Sequence, residues 1–144
     1  MSSFDDALYN KISFIKSSIG NYDITSALTS NNQPNNICVT DMTLEYDNAR
    51  SHAVKLVSTI RSEFRNLRII GGWPETEGTI DWTESAFVIE RFSDAIETSG
   101  NLFEDIEISK FTTGFYSDHD IENNTFKNNN ISDCAYGIVF GRST

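Results

Sequence analysis

Three carboxylates are grouped in one short segment of the chain, where Glu104, Asp105 and Glu107 are interspersed with apolar residues. Hydrolysis of a glycosidic bond requires two carboxyl groups about 5 to 9.5 Å apart, of which one donates a proton while the other attacks the sugar or activates water. Glu104 and Glu107, together with Asp105 between them, provide the residue types that both roles need. We therefore take Glu104, Glu107 and Asp105 as candidate catalytic residues.

The same carboxylates are also typical of a charged, solvent-exposed sheet face. Arg68 occupies the position equivalent to Glu107 in a neighbouring repeat, and Arg65 and Lys127 occupy positions equivalent to Glu104. Opposite charges on adjacent strands form cross-strand pairs that need no catalytic role. The sequence leaves both interpretations open.

The two tryptophans, Trp73 and Trp82, lie in one segment together with three glycines and a proline. Exposed aromatic rings stack on sugar rings or anchor a protein partner. The alternative is that both rings fold back and cover the flank of the protein. We take Trp73 and Trp82 as candidate ligand- or partner-binding residues.

A further candidate for acid–base chemistry is His119, which lies between Asp118 and Asp120. A carboxylate can orient a histidine for proton transfer, but aspartates are equally common in turns. The chain has two histidines, and its two cysteines, Cys38 and Cys134, are far apart in sequence. Since this does not provide a metal-ligand set, we predict no metal and no cofactor.

Composition excludes several classes of partner. The 144 residues suit one domain, and 21 acidic against 11 basic residues give a net charge of −10. Such a chain repels phosphate, so we expect neither nucleic acid nor an anionic membrane as a partner. The first residues lack the basic and apolar regions of a secretory signal, and no apolar run is long enough to span a bilayer.

Four segments of the chain repeat one pattern, in which the first, fourth and sixth positions are apolar in all but one case and the fifth is polar. The segments are Val39–Leu44, Phe64–Ile69, Phe103–Ile108 and Phe126–Ile131. Apolar residues on either side of a polar one follow the period of two that a β-strand requires. A second apolar stretch follows each segment, at residues 53–57, 86–89, 114–116 and 137–140.

The third position of the repeat is always an aspartate or an asparagine: Asp41, Asn66, Asp105 and Asn128. These residues tolerate the left-handed backbone conformation of a tight corner. When corners stack at the spacing of neighbouring strands, equivalent side chains lie above one another and form a ladder. We predict a structural corner ladder at these four positions.

The fold predicted from this pattern is all-β: a right-handed parallel β-helix, or solenoid, of about four rungs. The rungs occupy residues 36–144, with an inserted loop at 71–85. Residues 1–35 are predicted to cap the solenoid with an amphipathic helix and a connector, because Phe4, Leu8, Ile12, Ile15 and Ile19 follow helical spacing. As an alternative, residues 19–24 fit the rung pattern.

Residues 123–131 and 136–140 resemble the rungs of the pectate-lyase-like parallel β-helix superfamily, and the resemblance extends over about residues 36–140. This superfamily includes polysaccharide lyases, glycoside hydrolases, and the tailspikes and appendages of bacteriophages. The resemblance therefore implies a protein of one of these three kinds. The asparagine- and threonine-rich composition is closest in character to the phage proteins, which are typically trimeric.

We therefore expect a virion or tail module that contacts host-surface glycans or neighbouring virion proteins, made in the host cytoplasm and assembled as a homo-oligomer. The edge of the last strand has no capping segment after it in this sequence, and we expect it to pair with another chain or with a continuation of the solenoid. The alternatives are a polysaccharide lyase or glycoside hydrolase domain, and a non-enzymatic adaptor that binds a protein through the tryptophan loop.

Overall fold

A computed structural model describes residues 12–14, 33–45, 52–73, 84–91, 96–117, 119 and 121–141. These residues form ten β-strands and no helix. The strands are β1 (Ile12–Phe14), β2 (Cys38–Glu45), β3 (Val54–Val57), β4 (Glu63–Ile70), β5 (Ser85–Glu90), β6 (Leu102–Ser109), β7 (Thr113–Ser117), β8 (Thr125–Lys127), β9 (Asn130–Ser132) and β10 (Tyr136–Phe140).

The strands form two sheets in which every pair is parallel, so the predicted all-β class is confirmed. Sheet I has the order β1-β3-β5-β7-β10. Sheet II has the order β2-β4-β6-β8, and β9 also pairs with β6. The chain alternates between the two sheets from β1 to β8. A third ladder of isolated parallel bridges joins Asn35, Ile60, Ser99 and Glu122.

The pairing register of sheet II is the alignment that the repeats predict. The first position pairs along Val39, Phe64, Phe103 and Phe126, and the sixth along Leu44, Ile69, Ile108 and Ile131. A register shift of one residue would move every apolar side chain to the opposite face. The alternation of apolar and polar residues therefore selects this register.

Phenylalanine rings stack between the sheets and form the centre of the core. Phe103 stacks on Phe64 and Phe126 with ring centroids 5.3 and 4.8 Å apart, and Phe87 stacks on Phe115 at 4.9 Å. The two stacks meet edge to face, as between Phe103 and Phe115, where the rings are inclined at 73°. Both geometries are the ones that aromatic pairs prefer, and each pair contributes about 0.5–1.5 kcal/mol beyond area burial.

A glycine on β7 allows the neighbouring strand β10 and the side chain of Ile131 in sheet II to approach closely. A Cβ at Gly114 would lie 2.6 Å from the carbonyl oxygen of Gly137 and 2.9 Å from Cδ1 of Ile131. Gly137, in the next strand of sheet I, has room, because its Cβ would meet only Ile131 at 4.0 Å. Ile131, at the sixth position of the last repeat, is thus accommodated because Gly114 has no side chain.

The predicted N-terminal helical cap is not seen. Within its predicted range, Ile12–Phe14 is instead a strand that pairs in parallel with Val54–Leu56 of β3. Apolar residues on either side of Ser13 also fit the period of a strand, and pairing with an open sheet edge overrides the local helical spacing. The remainder of the predicted helix and the alternative rung at 19–24 lie outside the described residues.

Candidate functional site

Each strand of sheet II bends at its Asp or Asn corner residue, and we call the four stacked corner residues the corner column. Asp41, Asn66, Asp105 and Asn128 all have positive φ, between 49° and 58°. This left-handed conformation is costly for most residues but is tolerated by asparagine and aspartate. The ladder pairing skips these positions, and in the last repeat the bend separates β8 from β9.

A side-chain hydrogen bond connects the corners of the first two repeats. Nδ2 of Asn66 donates a hydrogen bond of 2.6 Å to Oδ1 of Asp41. This bond, with a smaller contribution from Thr40, lowers the pKa of the Asp41 carboxyl group below its ordinary value. Asp41 is therefore a stable anion at neutral pH.

A groove of about 500 Å³ runs along the corner column and crosses all four repeats. Its lining consists of the corner residues and the residues that follow them on sheet II: Asp41, Met42, Thr43, Asn66, Leu67, Arg68, Asp105, Glu107, Asn128 and Asn130. Each repeat contributes at least two side chains. The groove is thus a direct product of the corner ladder and not of a separate loop.

Hydrogen-bonding groups predominate in the groove, which combines three carboxylates, one guanidinium, three carboxamides and a hydroxyl. Nε of Arg68 lies 3.6 Å from Oε2 of Glu107, and both side chains are exposed. An exposed pair of this kind contributes only about 0–1 kcal/mol, so either partner can turn to a ligand at small cost. Met42, 40% exposed, adds an apolar surface.

Glu104 has surroundings different from those of the other two candidate carboxylates and does not line the groove. Its side chain is 15% exposed and is held between Lys127, which donates a hydrogen bond, and Arg65, whose Nε is 3.6 Å away. The hydrogen bond from Lys127, followed by the two positive charges, lowers the pKa of Glu104. A carboxylate with a lowered pKa is a poor proton donor near neutral pH.

The structure therefore brings two of the three predicted catalytic residues, Asp105 and Glu107, into one groove. Glu104 belongs to a cross-strand ion cluster on the other side of the corner. This separation follows from the positive φ of Asp105, which bends the strand between the two glutamates.

The other sequence candidates lie elsewhere or beyond the described residues. Trp73 is half-buried just after β4, and its backbone N–H donates to the carbonyl of Lys110 at 3.0 Å. Trp82, Asp118 and Asp120 lie outside the described residues. His119 lies in a tight turn in which Ser117 Oγ donates to its backbone carbonyl at 2.9 Å.

Sequence reasoning missed a second column of positive φ, formed by Asn36, Arg61, Gly100 and Asn123. It also missed the amide ladder beside that column, in which Nδ2 of Asn101 donates to Oδ1 of Asn124 at 2.9 Å and to the Thr59 carbonyl at 2.8 Å. The spacing between these positions is the same as between the corner residues. Tracing every position of the repeat, and not only the six of the aligned segments, would have found both.

Asn129 is the one polar residue among the apolar fourth positions of the repeat. Its side chain bridges the backbone of the preceding repeat, accepting from the Ile106 N–H and donating to the Phe103 carbonyl, both at 3.0 Å. A polar residue at this inward position is accommodated because both ends of its amide have partners.

Comparisons with protein-family models, with curated proteins and with solved structures find no match. None of the described segments is an apolar helix of a length that crosses a membrane. Within the same segments, no three His, Cys, Asp or Glu side chains are grouped as metal ligands would be. The groove is accordingly the feature on which a functional proposal rests.

Proposed function

We propose that the repeats form a right-handed parallel β-helix of four coils, preceded by the strand β1. Three parallel ladders that run through the repeats in the same chain order support this arrangement. Each repeat contributes one bridge residue, one bent strand or strand pair of sheet II and one strand of sheet I. Crossovers between parallel strands of one sheet are almost always right-handed, which favours this hand.

On this scaffold, the function we propose is binding of a polysaccharide along the groove, in a module of a phage virion or tail appendage that contacts host-surface glycans. The observation that carries the proposal is a groove that crosses four repeats and is lined by carboxylates, amides, a hydroxyl and a guanidinium. These groups make charge-assisted and neutral hydrogen bonds with sugar hydroxyls. The assignment to a phage virion rests on the resemblance of the rungs.

The shape of the groove favours a chain over a small molecule. Sites for small ligands are enclosed and mostly apolar, whereas this groove is partly open and most of the side chains that line it carry hydrogen-bonding groups. Individual contacts in an open groove are weak because water competes for them. Repetition of similar contacts along the stack lets an extended chain gain affinity from several of them at once.

Arg68→Ala tests this proposal directly. A panel of host-surface and plant polysaccharides is screened for binding to the wild-type protein, and the variant is measured against the tightest ligand. Loss of a hydrogen bond from a charged group costs about 1.5–3 kcal/mol, so we expect binding at least about tenfold weaker. Arg65→Ala, on the same strand but outside the groove, is the matched control and should bind as the wild type does. Equal binding by both variants would contradict the proposal.

A specific observation favours a second candidate function, that of a glycoside hydrolase. Asp105 and Glu107 from one repeat line the same groove, and two carboxylates are the minimum that glycosidic hydrolysis needs. The test is release of reducing ends from any polysaccharide that binds. Turnover that survives in both Glu107→Gln and Asp105→Asn would exclude these residues as catalysts.

Assembly into a homo-oligomer, with a trimer as the expected form, or with other virion proteins, is part of the proposal. It is supported by Ile138 and Phe140, 49% and 47% exposed on β10, the last strand of sheet I. Large apolar side chains at a sheet edge favour association. Light scattering after size exclusion should give three times the chain mass. A monomer at all concentrations would contradict self-association.

A further inference from the structure

We propose that the groove accepts an oligosaccharide segment that carries no charge, and that it discriminates against polyanionic chains such as polyuronates. This inference rests on the glycan binding proposed above and specifies the class of ligand. The observations that carry it are the distribution of charge around the corner column and the length of the groove.

Negative charge dominates the lining of the groove. The carboxylates of Asp41, Asp105 and Glu107 are opposed by a single cation, Arg68, which already lies against Glu107. A sugar hydroxyl can donate to each of these carboxylates. A uronate or a sulfate would add a like charge a few ångströms from them, which is repulsive even at high dielectric.

The positively charged residues nearest in sequence to the groove form ion pairs outside it. Arg65 and Lys127 both lie against Glu104, on the opposite side of the bend at Asp105. Neither side chain lines the groove. An anionic ligand would therefore find Arg68 as the one cation of the lining, facing three carboxylates.

The length of the groove indicates a chain of several sugars. Neighbouring parallel strands are about 4.8 Å apart, so side chains of the first and fourth repeats lie about 14 Å apart along the stack. The lining begins at Asp41 and Met42 in the first repeat and ends at Asn128 and Asn130 in the fourth. Met42, exposed at one end, offers an apolar contact to the C–H face of a sugar ring.

A matched pair of probes isolates the charge of the ligand. Hexagalacturonate and its fully methyl-esterified form have the same sugar chain and differ in the charge on every residue. Both are titrated against the full chain by calorimetry, together with neutral cello-, malto- and mannohexaose. We expect at least one neutral hexasaccharide to bind, and hexagalacturonate to bind at least tenfold more weakly than its methyl ester.

A triple variant tests whether the groove carboxylates cause the discrimination. Asp41→Asn/Asp105→Asn/Glu107→Gln should bind hexagalacturonate at least tenfold more tightly than the wild type does. Asparagine is tolerated at both corner positions, as Asn66 and Asn128 demonstrate. The control Glu63→Gln/Glu122→Gln/Asp133→Asn removes the same number of charges from exposed residues outside the groove, and it should leave the preference unchanged.

The outcomes separate this inference from the function on which it rests. Tighter binding of hexagalacturonate than of its ester and the neutral probes by the wild type would overturn the inference and leave glycan binding standing. An equal gain in the triple variant and in its control would also overturn it, because the effect would then come from overall charge. Failure of every probe, and of the wider polysaccharide panel, would overturn glycan binding and the inference together.

Discussion

The strands of sheet II present two faces that differ in almost every respect. Toward the core, Phe64, Phe103 and Ile106 are fully buried, and Phe103 stacks on Phe64 of the neighbouring repeat. Toward the groove, Asp41 and Asn66 are exposed and are joined by a hydrogen bond. Both faces repeat in the same register. The difference indicates that a stack of parallel repeats can place apolar packing on one face and polar side chains on the other without a dedicated loop.

The strongest test of this division is Phe103→Ala. Its ring is stacked on both sides, so truncation leaves a cavity that neighbours cannot fill, and we expect a loss of about 3–5 kcal/mol in the free energy of unfolding. Urea denaturation measures this. Phe140→Ala, at a ring that is half exposed, should cost clearly less. Equal losses at the two positions would contradict the role assigned to stacking.

Gly114→Ala probes the close packing of β7 against its neighbour β10 and against Ile131 of sheet II. The added methyl group would overlap the carbonyl of Gly137 and the side chain of Ile131, and overpacking of this kind costs about 1–3 kcal/mol. Gly137→Ala, on the next strand, introduces no close contact and is the matched control. Thermal unfolding should separate the two variants. A Gly114→Ala protein as stable as its control would show that the backbone of β10 and the side chain of Ile131 can shift freely.

Asn101→Ala tests whether the stability of the protein also depends on hydrogen bonds made by buried side-chain amides. Its amide donates a hydrogen bond to the backbone carbonyl of Thr59 and accepts one from the Ser62 N–H at 2.9 Å. Removal of the amide therefore leaves buried backbone groups without these partners. We expect a loss of about 1–3 kcal/mol, measured by urea denaturation. Asn130→Ala, at an exposed position in the groove, is the control and should unfold as the wild type does. Identical midpoints for the two variants would count against the amide ladder.

The smallest expected effect concerns the ion cluster outside the groove. Because the folded pKa of Glu104 is lowered from 4.5, the stabilisation is present above that pH and is lost as the pH falls through the folded value. Glu104→Gln should therefore flatten the acid limb of the plot of stability against pH. Lys127→Met removes the main partner and should flatten it in a similar way. An acid limb unchanged in both variants would show that the cluster does not contribute.

The strands that repeat in register could be predicted from the sequence. Structure that depends on pairing with a distant strand, or on the backbone angle of a single residue, could not. The parallel strands and their alignment follow from the alternation around Phe64 and Phe103, which is local and repeated. The segment Ile12–Phe14 fits helical and strand periods equally, and only the open edge of β3 selects the strand.

The groove itself was not predicted, although most of its residues were identified. Asp41, Asn66, Asp105 and Asn128 were expected to stack at a corner, and all four adopt the left-handed conformation that a corner requires. The sequence does not specify how the bend directs the side chains on either side of it. Glu104 and Glu107 therefore looked equivalent in sequence, while the bend at Asp105 assigns them to different surfaces.

The central claim is that an extended glycan binds along the corner column. The most direct measurement is a titration of the ¹⁵N-labelled protein with the tightest-binding oligosaccharide, followed by amide chemical-shift changes. We predict that the largest changes occur together in all four repeats, at Asp41, Asn66, Asp105 and Asn128, while Lys55 and Tyr116 on sheet I are unaffected. Changes confined to sheet I or to the segment around Trp73, with none at the corner column, would contradict the claim.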